Sequence, residues 1–232
     1  MTLLAVLGDL HANLTALEAV EADLASRGAD MVVVLGDLVG YLARPNQVAA
    51  RVAERGWPCL AGNYDRAVVT GGDQGVERFL KPGIGPRPRA VFHWTCRQTT
   101  PQTHKFLAGL PQRLEFEVAG RRFLACHGSP RGIRQYVYPD HDPSQLDAWL
   151  QEAGVHCLLL AHTHQPFLRR LPHGLVLNPG SLGFPKDGDP RASYALVQVE
   201  GDIQARILRV DYDQAAEAEL ARRAGLSGPP GA

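Results

Sequence analysis

Short apolar runs alternate with amphipathic segments over the first third of the chain. The apolar runs, each typical of a buried strand, are TLLAVLG (2–8), MVVVLG (31–36) and PCLAG (58–62). Between the first two, leucine and valine recur at helical spacing from a suitable N-cap, Asn13, to a helix-ending glycine, Gly28. Residues 46–55 predict a second helix. This β-α-β-α-β order predicts a parallel sheet with helices packed against it.

The second half of the chain is richer in strand-like runs. These are LEFEVAG (114–120), RRFLACHG (121–128), VHCLLLAH (155–162), GLVLNPG (174–180), ASYALVQVE (192–200) and IQARILRV (203–210). The turns AGRR (119–122) and EGD (200–202) predict hairpins between neighbouring strands. We therefore predict an α/β protein with two mixed β-sheets packed together, each covered on its outside by helices.

Composition along the chain predicts how the domain is organised. Glycines and prolines followed by helix-like segments at 71–111 predict an insertion of helices and loops near the functional site. The glycine- and proline-rich end, 224–232, predicts a disordered tail. With no repeat array and no long linker, we predict a single domain over residues 1–223.

The charge and hydropathy of the chain exclude several classes of partner. Lysine and arginine number 24, as do aspartate and glutamate, so a formal net charge of zero gives no support for binding a nucleic-acid track. No apolar run approaches the roughly 20 residues that a membrane span needs, and the N-terminus is not typical of a signal peptide. The four cysteines have no paired spacing, as expected for reduced thiols. We expect a cytoplasmic protein; its oligomeric state stays open, a dimer included.

Polar side chains follow the predicted strands at the point where each strand ends. The sequence LGDL occurs at 7–10 and again at 35–38, each time after an apolar run, which places Asp9 and Asp37 at two strand ends. The carboxyl ends of strands form the ligand crevice of open α/β sheets, so these carboxylates should lie side by side. Two carboxylates at that distance repel each other unless a proton or a cation lies between them.

Other imidazole, carboxylate and amide groups follow strands in the same way. The complete set is Asp9, His11, Asp37, Asn63, His127, His162 and His164. Seven oxygen and nitrogen ligands are too many for one tetrahedral zinc site. They suit two divalent metal ions that share a carboxylate. Imidazole and carboxylate without thiolate favour Mn²⁺, with Fe or Zn²⁺ as alternatives, over Mg²⁺, which prefers oxygen ligands.

Five short motifs occur in a fixed order along the chain. They are D-x-H (Asp9, His11), G-D-x-x-G (Gly36 to Gly40), G-N-x-D (Gly62 to Asp65), H-G (His127, Gly128) and x-H-T-H (161–164). Together they resemble the signature of the calcineurin-like metallophosphoesterase superfamily. The further segment NPGS (178–181) and the residues up to 197 are similar to its small bacterial and archaeal members of phosphodiesterase type.

This resemblance implies a fold and a distribution of ligands. The fold would be a four-layer α/β/β/α sandwich. Asp9, His11, Asp37 and His164 would hold the first metal. Asp37 would bridge to the second metal, which would also take Asn63, His127 and His162.

The expected activity is hydrolysis of a phosphate ester by hydroxide formed at the metals. The residues expected to take part in catalysis are Asp37, Asn63, Tyr64, Asp65 and His127. Many members of the superfamily have a histidine where Tyr64 stands, and that histidine is thought to protonate the leaving group. A phenol donates a proton sluggishly at neutral pH, so Tyr64 either packs beside the site or restricts the enzyme to good leaving groups. Asp65 would orient His11 or another ligand.

The loops predict a small phosphorylated substrate, with a nucleotide among the candidates. Arginines grip phosphate and tyrosines stack on bases, so the candidate substrate residues are Arg131, Arg134, Tyr136, Lys186 and Arg191. An ordinary arginine-rich surface loop is the alternative. For function, we favour a phosphodiester or a nucleotide phosphoanhydride as substrate. A phosphomonoesterase or phosphoprotein phosphatase is the alternative, and a non-catalytic binding scaffold is a remote one.

Overall fold

A computed structural model describes residues 1–71, 86–226 and 228 of the chain. Its strands are β1 Thr2–Leu7, β2 Met31–Val34, β3 Arg113–Val118, β4 Arg121–Cys126, β5 Cys157–Leu159, β6 Phe167–Leu171, β7 Gly174–Asn178, β8 Ala192–Glu200 and β9 Asp202–Val210. Its helices are α1 Leu14–Arg27, α2 Pro45–Arg55, α3 Asn63–Thr70, α4 Pro86–Gln98, α5 Pro101–Ala108, α6 Pro143–Ala153 and α7 Gln214–Arg223. None of these helices combines the length and the apolar composition that spanning a lipid bilayer requires.

The strands form two mixed sheets. The first has the order β2-β1-β8-β9, with β1 and β2 parallel and the other pairs antiparallel. The second has the order β3-β4-β5-β7-β6, in which β4, β5 and β7 run parallel. The predicted hairpins are present, since β3 pairs with β4 and β8 pairs with β9, in both cases antiparallel.

Three apolar cores hold four layers together. The central core joins the facing sides of the two sheets, with Leu4 and Val33 from one sheet packed with Phe123 and Leu159 from the other. The second core joins the first sheet to α1 to α5, and the third joins the second sheet to α6. Burial of this apolar surface is the main force that stabilises the fold. The predicted α/β/β/α sandwich is confirmed.

The caps of the first helix are those expected from the sequence. The Asn13 side chain accepts a hydrogen bond of 3.0 Å from the Ala16 backbone N–H, and Gly28 ends the helix with φ of +67°. A side-chain acceptor at the N-cap satisfies one of the free N–H groups of the first turn, and glycine adopts the left-handed C-cap at little cost. The second helix begins at Pro45, one residue before the predicted start.

Several segments differ from the predicted ones. The predicted strand 58–62 forms only one isolated bridge, between Val34 and Cys59, because the chain turns at Gly62 into α3. The strand β6 and the helices α6 and α7 were not predicted. In β6 the two consecutive arginines, Arg169 and Arg170, interrupt the alternation that marks a strand.

The predicted insertion and tail fall partly outside the described residues. Residues 72–85 of the insertion 71–111 lie outside them, whereas α4 and α5 pack beside α2 and α3. Of the tail 224–232, the structure describes 224–226 and 228. The assignment of residues 1–223 to one domain stays a prediction.

The last helix is tied to the loop between β2 and α2 by a buried ion pair. Glu217 of α7 is fully buried and accepts hydrogen bonds from the Arg44 guanidinium and from the Thr15 hydroxyl. Arg44 stands at the end of that loop, just before α2. Ala221 of α7 packs nearby on Leu42 of the same loop. Because a buried charge is costly unless it is paired, this contact anchors the C-terminal helix.

We expect Glu217→Ala to lower the free energy of unfolding by about 3 kcal/mol, because it leaves Arg44 with its charge largely desolvated and unpaired. Urea denaturation monitored by circular dichroism would measure the loss. The matched control is Glu219→Ala on the same helix, where Glu219 pairs with Arg222 and Arg223 in solvent and should contribute much less to stability. Equal losses in the two variants would contradict the anchoring role of Glu217.

Candidate metal centre

Two loops meet side by side where β1 and β2 end. Their backbones are joined by hydrogen bonds from Asp9 N to Gly36 O (3.1 Å), His11 N to Asp37 O (2.8 Å) and Ala12 N to Leu38 O (2.8 Å). This pairing extends the register of the two parallel strands beyond the sheet. It brings Asp9 and Asp37 together, as their positions in the repeated LGDL segments predict.

The loops that carry the polar residues have an unusual backbone. Asp9, His11, Asp37, His162 and His164 all have positive φ, between +46° and +71°. Side chains other than glycine rarely adopt this left-handed region, and such strain persists only where the surroundings over-determine it. Strained backbones of this kind cluster at functional sites.

All seven predicted ligands converge at one buried point. Each is less than 9% exposed to solvent. The Nε2 atom of His11 lies 3.6 Å from Asp37 Oδ2, and His127 Nε2 lies 3.5 Å from the same oxygen. His164 Nε2 lies 3.6 Å from Asp9 Oδ1. The described residues contain two groups suited to a metal ion, Asp9–His11–His164 and Asp9–Asp37–His127.

Every histidine of the site turns its Nδ1 atom outward to a backbone carbonyl. His11 bonds Val39 O (3.1 Å), His127 bonds Leu35 O (2.8 Å) and His164 bonds Phe184 O (2.5 Å), while His162 bonds the backbone carbonyl of Arg134. A carbonyl oxygen only accepts hydrogen bonds, so in the neutral rings Nδ1 carries the proton. The Nε2 lone pairs therefore point into the centre, as second-shell hydrogen bonds orient metal-binding histidines in general.

The inward-facing atoms fit a cation. His11 Nε2 lies only 3.0 Å from His164 Nε2, and two lone pairs at that distance repel each other unless both bind a positive centre. His127 Nε2 faces Asn63 Oδ1 at 2.9 Å, where a proton on the ring, or a metal ion in place of that proton, would hold the two atoms together. Asp9 Oδ1 and His162 Nε2 are buried and have no hydrogen-bond partner among the residues that the structure describes. Orphaned buried acceptors of this kind are costly, and divalent metal ions would satisfy them.

The electrostatics of the site agree with this need for positive charge. Burial lowers the pKa of His11 and of His162 to about 3, so both rings are neutral at pH 7. Burial raises the pKa of Asp9 to about 7, and the charge of Asp37 adds to this effect. Burial alone would lower the pKa of His127, but the nearby Asp37 carboxylate raises it to about 9. Proton uptake thus balances the two buried carboxylates, and a metal ion would compete with those protons.

The choice of the bridging carboxylate stays a prediction. Asp37 Oδ2 lies within 3.6 Å of ligands from both groups, His11 and His127, which is compatible with the bridging role that the resemblance implies. Asp9 Oδ1, however, lies at similar distances from the same two rings, 4.0 Å and 3.9 Å. Both carboxylates are therefore placed between the two groups.

Asp65 holds the loops that carry the ligands. Its Oδ1 atom accepts hydrogen bonds from Leu38 N (2.9 Å) and Val39 N (3.3 Å), and its Oδ2 atom accepts one from Gly62 N (2.9 Å). It does not contact His11 directly in these bonds; it fixes the segment whose Val39 carbonyl orients that ring. Burial raises the pKa of Asp65 to about 7.

Tyr64 packs away from solvent. Its ring is 1% exposed and lies beside Tyr41 and Phe92 at centroid distances of 5.3 Å and 6.2 Å. Gly40 lies directly against the ring, with no room for a side chain. Burial raises the pKa of the Tyr64 phenol well above its ordinary value. These surroundings favour the packing role over proton donation.

The predicted substrate residues divide into two groups. Tyr136 packs against His162 at a centroid distance of 4.2 Å, with the two rings tilted by 34°, and Lys186 Nζ lies 3.5 Å from the hydroxyl of Tyr41. Arg134 supplies the carbonyl that holds His162. By contrast, Arg131 forms an ion pair with Glu152, and Arg191 forms one with Asp189, so neither guanidinium is directed only to a substrate.

Sequence reasoning missed two aromatic residues of the site. The Tyr41 ring meets His11 edge-on at 4.4 Å and stacks on Phe184 at 4.6 Å. Tyr41 directly follows the G-D-x-x-G motif, and that position was the available signal for it. Phe184 follows NPGS at a similar short distance. The two rings form a wall beside His11 and His164.

The fold and the site together define a class of protein. A four-layer sandwich whose strand ends bring four histidines, two aspartates and an asparagine to one buried point is the architecture of a metallophosphoesterase. A family model agrees, since the calcineurin-like phosphoesterase superfamily domain matches residues 1–202. The chain belongs to this superfamily, whose members bind divalent metals.

Individual proteins are similar to this chain over most of its length. An uncharacterized protein from Methanocaldococcus jannaschii is 31% identical over 229 residues, which cover 91% of this chain and 88% of the relative. A metallophosphoesterase from Sphaerobacter thermophilus is 29% identical and has a TM-score of 0.78 over 97% of this chain and 95% of its own. A hypothetical protein from Pyrococcus horikoshii, 24% identical, shares the fold with a TM-score of 0.84 over 97% and 94%.

Gly62 is expected to be essential for the site because a Cβ atom there would lie 2.1 Å from Asp37 Oδ1. We expect Gly62→Ala to displace Asp37 and to weaken Mn²⁺ binding at least about tenfold. Calorimetric titration of metal-stripped protein with Mn²⁺ would measure the change. Gly109→Ala serves as control, since a Cβ at Gly109 would make only ordinary contacts, 3.5 Å or longer. Unchanged Mn²⁺ affinity in Gly62→Ala would show that Asp37 is not a ligand.

Proposed function

We propose that this protein is a phosphoesterase that uses two divalent metal ions to hydrolyse a small phosphodiester or a nucleotide phosphoanhydride. The observation that carries the proposal is the set of inward-facing Nε2 lone pairs around two buried carboxylates. Asp9, His11 and His164 would hold one ion. Asn63, His127 and His162 would hold the other, and Asp37 would lie between the two.

The donor atoms support manganese as the favoured metal. Imidazole nitrogen and carboxylate or amide oxygen suit Mn²⁺, with Fe and Zn²⁺ as alternatives. Cys126 directly precedes His127, but its thiol is buried on the opposite side of β4, in the core beneath α6. Burial raises the pKa of that thiol to about 12, so it supplies neither a soft ligand nor a nucleophile.

The bound metals would stabilise charge on the phosphoryl oxygens and lower the pKa of an attacking water molecule. The chain itself would prepare the site for this chemistry. Its buried loops exclude bulk water from the ligands, and the fixed Nδ1 hydrogen bonds keep the four rings in position. Lys186 Nζ lies 3.5 Å from the hydroxyl of Tyr41, whose ring meets His11 at 4.4 Å, so its ammonium group stands beside the centre, where it would bind an oxygen of the substrate phosphate.

The surroundings of Tyr64 support a substrate with a good leaving group. A buried phenol with a raised pKa is a poor proton donor at neutral pH. An alkyl monoester needs its leaving oxygen protonated, whereas a phosphoanhydride or an aryl ester does so much less. This difference favours phosphoanhydride or aryl ester substrates over alkyl monoesters.

We expect Tyr64→Phe to keep most of the wild-type kcat both on p-nitrophenyl esters and on an alkyl phosphate ester, whose poor leaving group would depend on a general acid, because the variant preserves the packed ring and removes only a buried hydroxyl. Steady-state kinetics would measure the effect. Loss of a general acid costs about a hundredfold or more in rate, so a loss of that size, with unchanged thermal stability, would assign Tyr64 the catalytic role.

The proposed activity is tested with protein stripped of metal and assayed with and without Mn²⁺. The two substrates are bis(p-nitrophenyl) phosphate and p-nitrophenyl phosphate. Both substrates release p-nitrophenolate, so the comparison isolates the preference for a diester over a monoester, and we expect Mn²⁺-dependent turnover that is faster on the diester. His162→Asn should abolish most of it, whereas His173→Asn, at an exposed histidine paired with Asp147, should not.

Other outcomes have distinct meanings. Faster turnover of the monoester would favour the phosphatase alternative. No turnover of either substrate with Mn²⁺ bound would contradict the proposal and favour a binding role. Turnover that does not depend on added metal would contradict the two-metal centre.

A further inference from the structure

We propose that Tyr136 and Tyr138 form a stacking site for a nucleobase of the substrate. The inference rests on the proposed function, since it assumes that a phosphate group binds at the metal centre. It adds to that function the class of substrate, a nucleotide, and the side of the metal centre at which the base of the nucleotide binds.

The two tyrosines continue a stack of rings that begins at a ligand. Tyr136 lies 4.2 Å from the His162 ring, and Tyr138 lies 5.8 Å beyond Tyr136 with an interplanar angle of only 7°. Such parallel, offset stacking is a favoured arrangement of aromatic rings. The stack therefore leads from the metal centre toward the surface.

Both rings are unusually exposed. Tyr136 is 38% and Tyr138 is 42% exposed, and among the residues that the structure describes only Met1 and Met31 are comparable large hydrophobic side chains. Exposure of apolar rings next to a buried polar site is costly unless a ligand covers them, and it often marks a binding surface. Here the two exposed rings are stacked on each other beside the metal centre.

The loop that carries the tyrosines is firmly anchored. Val137, between them, is fully buried in the core with α6. The Tyr138 carbonyl accepts a hydrogen bond from His141 N (3.0 Å), and the next carbonyl, that of Pro139, accepts one from Arg169 (2.6 Å). The rings are thus held in place before a ligand binds, which reduces the entropic cost of binding.

The other flank of the centre has a different character. There the Tyr41 ring is covered by Phe184 and by the Lys186 ammonium, 5.1 Å from its centroid. A positive charge on this flank suits phosphate oxygens, whereas the Tyr136–Tyr138 pair offers an aromatic face without its own charge. A nucleotide, with a charged end and a planar end, matches this polarity.

The test compares two ligands that differ only in the base. Calorimetry would measure the binding of adenosine 5′-monophosphate and ribose 5-phosphate to the Mn²⁺-loaded protein. A base stacked on an aromatic side chain typically contributes about tenfold or more in affinity, so we expect the nucleotide to bind at least about tenfold more tightly. Tyr138→Ala should remove most of this preference without changing the affinity for ribose 5-phosphate. Tyr138→Phe, which keeps the ring, should retain the preference.

Equal affinities of the wild type for the two ligands would overturn the inference. So would a preference for the nucleotide that survives in the double variant Tyr136→Ala/Tyr138→Ala. The inference and the proposed function fail separately. A base preference without Mn²⁺-dependent hydrolysis of any ester would leave the stacking site standing and contradict the enzyme. Mn²⁺-dependent hydrolysis without a base preference would support the enzyme and contradict the stacking site.

Discussion

The arrangement of this molecule depends on one electrostatic constraint: two buried carboxylates must be neutralised at a point where four imidazoles present lone pairs. His11 and His164 face each other across 3.0 Å, and within the described part of the chain an oxygen of Asp9 has no hydrogen-bond partner. Protons on Asp9 and His127 balance the charge of the carboxylates, but they leave the facing lone pairs of His11 and His164 unsatisfied. A cation shared by several ligands satisfies all of them at once.

Contacts from the rest of the fold stabilise the strained backbone of that centre. Five of the ligands adopt the left-handed backbone region, which costs energy that packing and hydrogen bonds must offset. The paired loops after β1 and β2, the Asp65 carboxylate beneath them and the close fit of Gly62 against Asp37 provide this support. The last helix contributes from further away, because Glu217 holds Arg44 at the end of the same loop.

The sequence predicts this centre well because its ligands follow apolar runs, and a buried strand that ends in a polar residue leaves a local signal. The ends of β1, β2, β4 and β5 were identified in this way. Other features depend on contacts between distant segments. Asn63 begins α3 instead of ending a strand. Just before it, the Ala61 N–H donates its hydrogen bond to the Pro111 carbonyl, far along the chain. The ion pair of Arg131 with Glu152 and the packing of Tyr41 on His11 likewise arise only in the folded chain.

In the proposed enzyme, the buried Tyr64 would restrict the substrates to those with a good leaving group. An enzyme with an accessible proton donor at that place can accept poor leaving groups, because it supplies the proton itself. Where the phenol is packed under Tyr41 and Phe92 with a raised pKa, a substrate must stabilise its own leaving oxygen. Phosphoanhydrides do so through charge delocalisation over a second phosphate. The same anhydrides carry the additional negative charge that Lys186 is placed to bind, so the two features of the site favour the same class of substrate.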